Sequence, residues 1–147
     1  MTSSHVDRPT IYFIEYRSHQ QYGRVAVFRI INSSPHTFSY EGYDATFPLY
    51  EFRVQTTSGW QFQSPHWCPS GAEYRALTPK SSVEFEVYGR RGIDTAFAVG
   101  VCFEEGTPVE LARRQGSELA TFSRWFRRVT HVPAAQPELS WSQPINL

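Results

Sequence analysis

Leu49-Tyr50-Glu51-Phe52-Arg53-Val54-Gln55-Thr56 decides how this chain folds. Tyr50, Phe52 and Val54 fall on one side of an extended backbone, and Glu51, Arg53 and Gln55 fall on the other. That is the two-residue period of a half-buried antiparallel strand. Ser58-Gly59 then turns the chain into Trp60-Gln61-Phe62, a hairpin partner.

The same period extends in both directions. Upstream, Ile11 to Tyr16 reads as a first strand. Arg24 to Ile31 reads as a second strand, apolar on both faces and therefore central, and Thr37 to Tyr40 as a short third after the Asn32-Ser33-Ser34-Pro35 turn. Downstream, a Pro/Gly loop from Ser64 to Gly71 precedes Ser82 to Tyr88, with Val83, Phe85 and Val87 inward and Glu84 and Glu86 outward. Thr95 to Phe103 then puts Phe97, Val99, Val101 and Phe103 on one face. Its other face is Ala96, Ala98, Gly100 and Cys102, all small. A solvent face normally carries charge, so a further segment is expected to pack there, and the C-terminal part of the chain is the candidate.

The pattern changes after Gly106. Thr107-Pro108-Val109-Glu110 has the spacing of a capping box, with Thr as N-cap, Pro at the first helical position and Glu at the third. Gly116 is a stop signal. Leu119, Phe122, Phe126 and Val129 then recur at helical spacing. The expectation is a helical excursion over about 107–130, followed by a closing strand over about 138–145 that contains Trp141. Many short strands, few helices and no internal repeat indicate an all-β fold, an antiparallel sandwich with one or two short C-terminal helices, in one domain over 1–147.

Composition narrows function by exclusion. The chain has 147 residues, 40% hydrophobic and 16% aromatic, which is enough to build a core without metals or disulfides. Fourteen basic residues balance fourteen acidic ones, and Lys80 is the sole lysine. Nucleic-acid binding draws on a basic excess, so it is not expected. Two cysteines, Cys68 and Cys102, are too few for a disulfide framework or a cysteine-based zinc site; they either pair with each other across the core or, on the plainer reading, are small buried apolar residues. No apolar run approaches the roughly 18 residues of a membrane span, and no leader segment is legible. A cytoplasmic location is expected unless a signal has been removed.

Five segments belong together: Phe38-Ser39-Tyr40-Glu41-Gly42-Tyr43, Pro65-His66-Trp67-Cys68-Pro69-Ser70-Gly71, Leu77-Thr78-Pro79-Lys80-Ser81, Val99-Gly100-Val101-Cys102-Phe103 and Trp141-Ser142-Gln143-Pro144-Ile145. With them the chain resembles a family of small uncharacterised bacterial proteins common in planctomycetes and verrucomicrobia. The resemblance covers most of the chain from about Arg24 onward. It implies an immunoglobulin-like β-sandwich and implies no activity. Pro69 and Ser70 replace the Gly-Thr of the family's Trp-Cys-Gly-Thr-Gly, so a role needing a flexible glycine after the cysteine does not carry over.

Each conspicuous cluster has a chemical reading and a plainer one. His66 and Cys68 are two apart and face one way on a strand, as a soft-metal pair or a nucleophile with its base requires. A copper site of the sandwich type needs a second His and usually a Met, and Met1 is the sole methionine. A hydrolase needs an orienting third group. The plainer reading has Trp67 plugging one end of the core with Cys68 beneath it. Trp60, Trp67, Tyr40, Tyr43 and Tyr50 form either an aromatic platform for a sugar or peptide, or the core and its rim. Val109 to Arg128 has the outline of a helix-turn-helix, but Ser117 stands where an apolar residue locks such a turn and no third helix completes the core. No phosphate loop, dinucleotide fingerprint, nucleophile elbow or calcium loop is present in the sequence.

The expected function is therefore a non-enzymatic interaction or structural module whose partner is another protein or a second copy, with no cofactor. Its expected surface is Trp60, Tyr43, Tyr50 and Trp67. Trp67, Cys68, Gly71, Phe85, Phe97, Val99 and Trp141 are expected to serve the framework. A carbohydrate-binding module is the alternative, and a small Cys/His enzyme or metal domain the third.

Overall fold

In the computed structural model, residues 7–63, 68, 70–88, 96–115 and 139–145 are described. The first sheet is β1 (Thr10–His19), β2 (Gly23–Ile31) and β8 (Ser82–Val87), in the order β1-β2-β8 with both pairings antiparallel. β2 is central, as its two apolar faces require. Ala26, Phe28 and Ile30 enter the core, while Arg29 lies opposite Glu84 in register and bonds to it on the outer side. A bulge between Phe13 and Glu15 breaks the register of β1.

A second sheet gathers β3 (Phe38–Asp44), β4 (Phe47–Pro48), β7 (Glu73–Leu77) and β10 (Glu104–Glu105) around β3. The third has the order β11-β9-β5-β6, built from β5 (Glu51–Thr56), β6 (Gly59–Gln63), β9 (Phe97–Cys102) and β11 (Leu139–Trp141). Phe103 alone separates β9 from β10, so one run of chain passes directly from the third sheet into the second.

Side chains of all three sheets converge on one core. Phe28 and Phe85 of the first sheet, Phe38 and Tyr40 of the second, and Phe52, Phe97, Val99 and Val101 of the third are buried together. Phe28 meets Phe85 with stacked rings at 5.8 Å and Phe97 edge-on at 6.2 Å, so aromatic packing ties the first sheet to the third. The fold is thus an all-β antiparallel sandwich with one short helix among the described residues. Phe85, Phe97 and Val99 are core residues, as their alternation requires.

The helix α1 (Pro108–Gln115) begins where the capping box places it. Thr107 N–H donates to Glu110 Oε2 at 3.1 Å, and Glu110 N–H donates to Thr107 Oγ1 at 3.2 Å. Leu111 is its buried anchor. The expected continuation of the helical excursion, with Gly116 and the second half of the helix-turn-helix outline, lies outside the described residues. β7 has no counterpart among the expected strands. In Glu73-Tyr74-Arg75-Ala76-Leu77 only Leu77 is buried, and it is the five-residue register with β3 that makes this segment a strand.

The small-residue face of β9 is covered as expected at Gly100. β11 pairs with β9 in the register Leu139↔Cys102, Ser140↔Val101 and Trp141↔Gly100, and Ser142 extends the seam through both Val99 backbone groups. The closing strand is shorter than expected, ending at Trp141 with an isolated bridge from Ile145 to Phe97.

Candidate functional site

The register of the third sheet fixes what its outer face presents. Phe52 and Val54 point into the core, so Arg53 and Gln55 point out. Directly opposite them on β6 stand Phe62 and Trp60, which therefore also point out. On the other side of β5, Arg53 pairs with Ala98 and Glu51 with Gly100, and Gly100 pairs in turn with Trp141. Trp60, Phe62 and Trp141 thus share one face, with Arg53 at its centre.

The small residues of β9 let this cluster assemble. Gly100 has no side chain and Ala98 only a methyl, so the Trp141 indole extends across β9 toward β5. Its ring centroid comes within 5.6 Å of that of Phe62. The Arg53 guanidinium lies 4.8 Å from the Trp141 ring centroid and 4.9 Å from that of Trp60, held between two indoles. Each such contact contributes about 0.5–1 kcal/mol at an exposed site. Arg53 Nε is buried without a hydrogen-bond partner, set among these aromatic rings. Trp60 and Phe62 remain 39% and 50% exposed.

β6 is also a sheet edge, exposed at all five residues. Gln55 N–H donates to Ala96 O at 2.9 Å, on the side away from β6. Gln55 and its partner Trp60 therefore form a pair that exchanges no backbone bonds. By alternation the N–H and C=O groups of Trp60 and Phe62 point off the sheet. Among the described residues no strand pairs with that edge.

The residues expected from sequence divide sharply. Trp60 is on the face. Tyr50 is a correction, because it is 3% exposed, packs on Phe52 and Phe85, and its hydroxyl accepts the Tyr88 N–H at 3.1 Å. Tyr40 is buried too, and desolvation pushes its phenol up to about 12. Tyr43 is half-buried against Phe47, and its hydroxyl donates to Cys68 O. Trp67 and His66 lie outside the described residues. Trp141 is more than framework, since it completes the face, and Phe62 was not singled out at all. Phe62 is a bulky apolar residue directly opposite Arg53, a position that becomes legible only once the hairpin register is known.

Cys68 is a second correction. It is exposed where the plainer reading buried it, and neither it nor the buried Cys102 is joined in a disulfide. Its Sγ lies 3.1 Å from Ser70 Oγ, and hydrogen bonds from the Ser70 side chain and then its backbone hold the thiol below its usual range against a small desolvation effect. Gly71, expected to be structural, is exposed with φ +88°, a conformation that suits glycine in this loop. No group of three His, Cys, Asp or Glu side chains able to hold a metal ion occurs among the described residues. No helix is long and apolar enough to cross a membrane among them.

No protein-family model matches the chain, and no curated protein matches it in sequence. Among solved structures, a penta-heme cytochrome c552 from Thermochromatium tepidum is similar over 93% of this chain at 13% identity, with a TM-score of 0.43. The chain spans 39% of that protein's length.

Proposed function

We propose that this protein is a non-enzymatic interaction module that binds another protein chain through the outer face of β6, β5 and β11. The observation that carries the reading is the Trp60–Arg53–Trp141 stack with Phe62 beside it, standing at an open strand edge. Trp and Arg dominate the residues on which protein contacts depend, and here they are ordered before any partner arrives, which lowers the entropy lost on binding. An open edge adds main-chain donors and acceptors that only another extended chain matches along their length. The small bacterial sandwich family that the sequence resembles implies no activity, which is compatible with this role.

Carbohydrate binding draws less support. A sugar platform needs flat ring faces open to solvent, and the guanidinium of Arg53 lies over one ring face of Trp60 and one of Trp141.

The test places a photo-crosslinking amino acid at Phe62 of the full chain in its native cell. A discrete protein adduct that disappears when Trp60→Ala is added is the expected result. An adduct pattern unchanged by Trp60→Ala, or equal to that from exposed Tyr12 on β1, overturns the reading.

A further inference from the structure

We infer that the partner taken by the β6 edge is a second copy of this chain, joined antiparallel about a two-fold axis at Gln61. The inference rests on the interaction-module reading above and names the partner.

Charge is the first argument. β1, at the edge of the first sheet, carries Glu15 and Arg17 and is bulged. β8, at its other edge, carries Glu84 and Glu86, and β7 in the second sheet carries Glu73 and Arg75. Charges and bulges of this kind are the usual protection of a free edge. β6 reads Gly59-Trp60-Gln61-Phe62-Gln63, with no charge, no proline and no break in its register. An antiparallel copy sets residues equidistant from the axis opposite each other, so β8 centred on Phe85 would face Glu84 with Glu86 of the copy, like charge against like charge. β6 has no charge to oppose.

Register is the second argument. The outward backbone groups of this edge belong to Trp60 and Phe62. An antiparallel copy centred on Gln61 sets Trp60 opposite Phe62 of the second copy and Phe62 opposite its Trp60. Each of those pairs exchanges both backbone hydrogen bonds, so the free donors and acceptors of both residues are matched on both copies. Gln61 meets Gln61 at the axis as a pair without backbone bonds. A contact of this kind is isologous and closes on itself as a dimer instead of growing into a fibre.

Side chains agree with the backbone. Trp60 and Phe62 lie on the same outer face, so the joined sheet sets each indole against the other copy's phenyl ring, an aromatic cross-strand pair. With Trp141 already beside Phe62, the aromatic face of one copy continues into that of the other across an eight-stranded sheet.

The test uses the full chain. Sedimentation velocity over a concentration series is expected to show a monomer–dimer equilibrium that the double variant Trp60→Lys/Phe62→Lys loses, with circular dichroism confirming that the variant folds. Residues facing each other without backbone bonds lie about 4.5 Å apart at Cα, within disulfide range. In a Cys68→Ser background, Gln61→Cys is therefore expected to give a covalent dimer under mild oxidation, and Gln55→Cys, exposed on the neighbouring inner strand β5, is not. A wild-type chain that stays monomeric throughout the series, or Gln61→Cys and Gln55→Cys dimers in equal yield, overturns the inference. In that event, a Phe62 adduct to a different protein leaves the interaction reading standing. Loss of that Trp60-dependent adduct as well brings both down.

Discussion

The six-membered ring of Trp141 lies against the bare backbone of Gly100, so close that a Cβ there would come 2.9 Å from Cε3 and 3.0 Å from Cδ2 and Cζ3. Gly100 is paired on both sides, with β11 and with β5, and has no freedom to retreat. Gly100→Ala must therefore push the indole off β9, and overpacking of this kind costs about 1–3 kcal/mol. The measurement is the midpoint of chemical unfolding, together with tryptophan fluorescence of the native state. A variant as stable as the wild type, with an unshifted emission maximum, contradicts the contact.

Asn32, fully buried, holds the turn after β2 to the turn before β8. Its Nδ2 donates toward His36 O at 2.8 Å and toward Leu77 O and Thr78 O at 3.1 Å, while its Oδ1 accepts the Ser34 N–H and hydroxyl. Asn32→Ala removes all of these bonds from a buried place, although Thr78 O keeps the Ser81 N–H and hydroxyl and His36 O keeps the Ser34 hydroxyl, and is expected to cost about 2 kcal/mol. Asn32→Asp is expected to be at least as harmful, because it turns a carboxylate oxygen toward three carbonyls. Thermal unfolding of the two variants ranks them, and an aspartate variant more stable than the alanine one refutes the assignment of Nδ2.

Thiol chemistry separates the two cysteines. Cys68 is exposed with its pKa lowered by Ser70, whereas Cys102 is buried. The thiolate is the reactive form, so an alkylating reagent near neutral pH is expected to label Cys68 in the folded protein and to reach Cys102 only on unfolding. Ser70→Ala removes the side-chain hydrogen bond and is expected to slow the labelling of Cys68. Mass spectrometry of peptides from a labelling time course reads both effects, and equal rates at the two thiols contradict the burial difference.

Two phenols are expected to weaken the fold at alkaline pH. Tyr40 and Tyr88 are both pushed up from 10.0 to about 12, each chiefly by desolvation, with the hydrogen bond from the Tyr88 hydroxyl to Glu86 acting in the same direction. Between those values the folded chain keeps protons that the unfolded chain gives up, so the contribution to stability is complete below about pH 10 and falls as pH rises toward about 12. Unfolding free energy measured across that interval is expected to decline, and the double variant Tyr40→Phe/Tyr88→Phe to decline less steeply. Identical slopes for the two proteins exclude these groups as the cause.

The sandwich was legible wherever a strand is half buried, because burial on one face writes a two-residue period into the sequence. β5, β8 and β9 were found in this way, and the capping box marked the start of α1. Residues whose environment is set by distant partners were not legible. Tyr50 is the exception, because the two-residue period already sets it on the face of Phe52 and Val54, and the Tyr88 backbone and the Phe85 ring close over it. Cys68 follows Trp67 in the sequence, and an aromatic neighbour suggests burial, whereas Cys68 is exposed. The aromatic face itself joins β6 to β11 across two intervening strands. Its traces in the sequence are Trp60, which follows a turn, and the run of small residues on β9, which points to a covering segment without identifying Trp141 or Phe62 as parts of the face.

Phe97 and Ile145 exchange both backbone hydrogen bonds, at 3.1 and 2.8 Å, and Ser142 seals Val99 in the same seam. During synthesis, β9 leaves the ribosome well before the segment that completes it. Until residues 139–145 emerge, one flank of this apolar strand stands open beside a nascent core that is otherwise able to close. Maturation thus waits on the last seam of the sandwich, and a chain stalled after α1 presents a sticky flank to chaperones and to its neighbours on the same polysome.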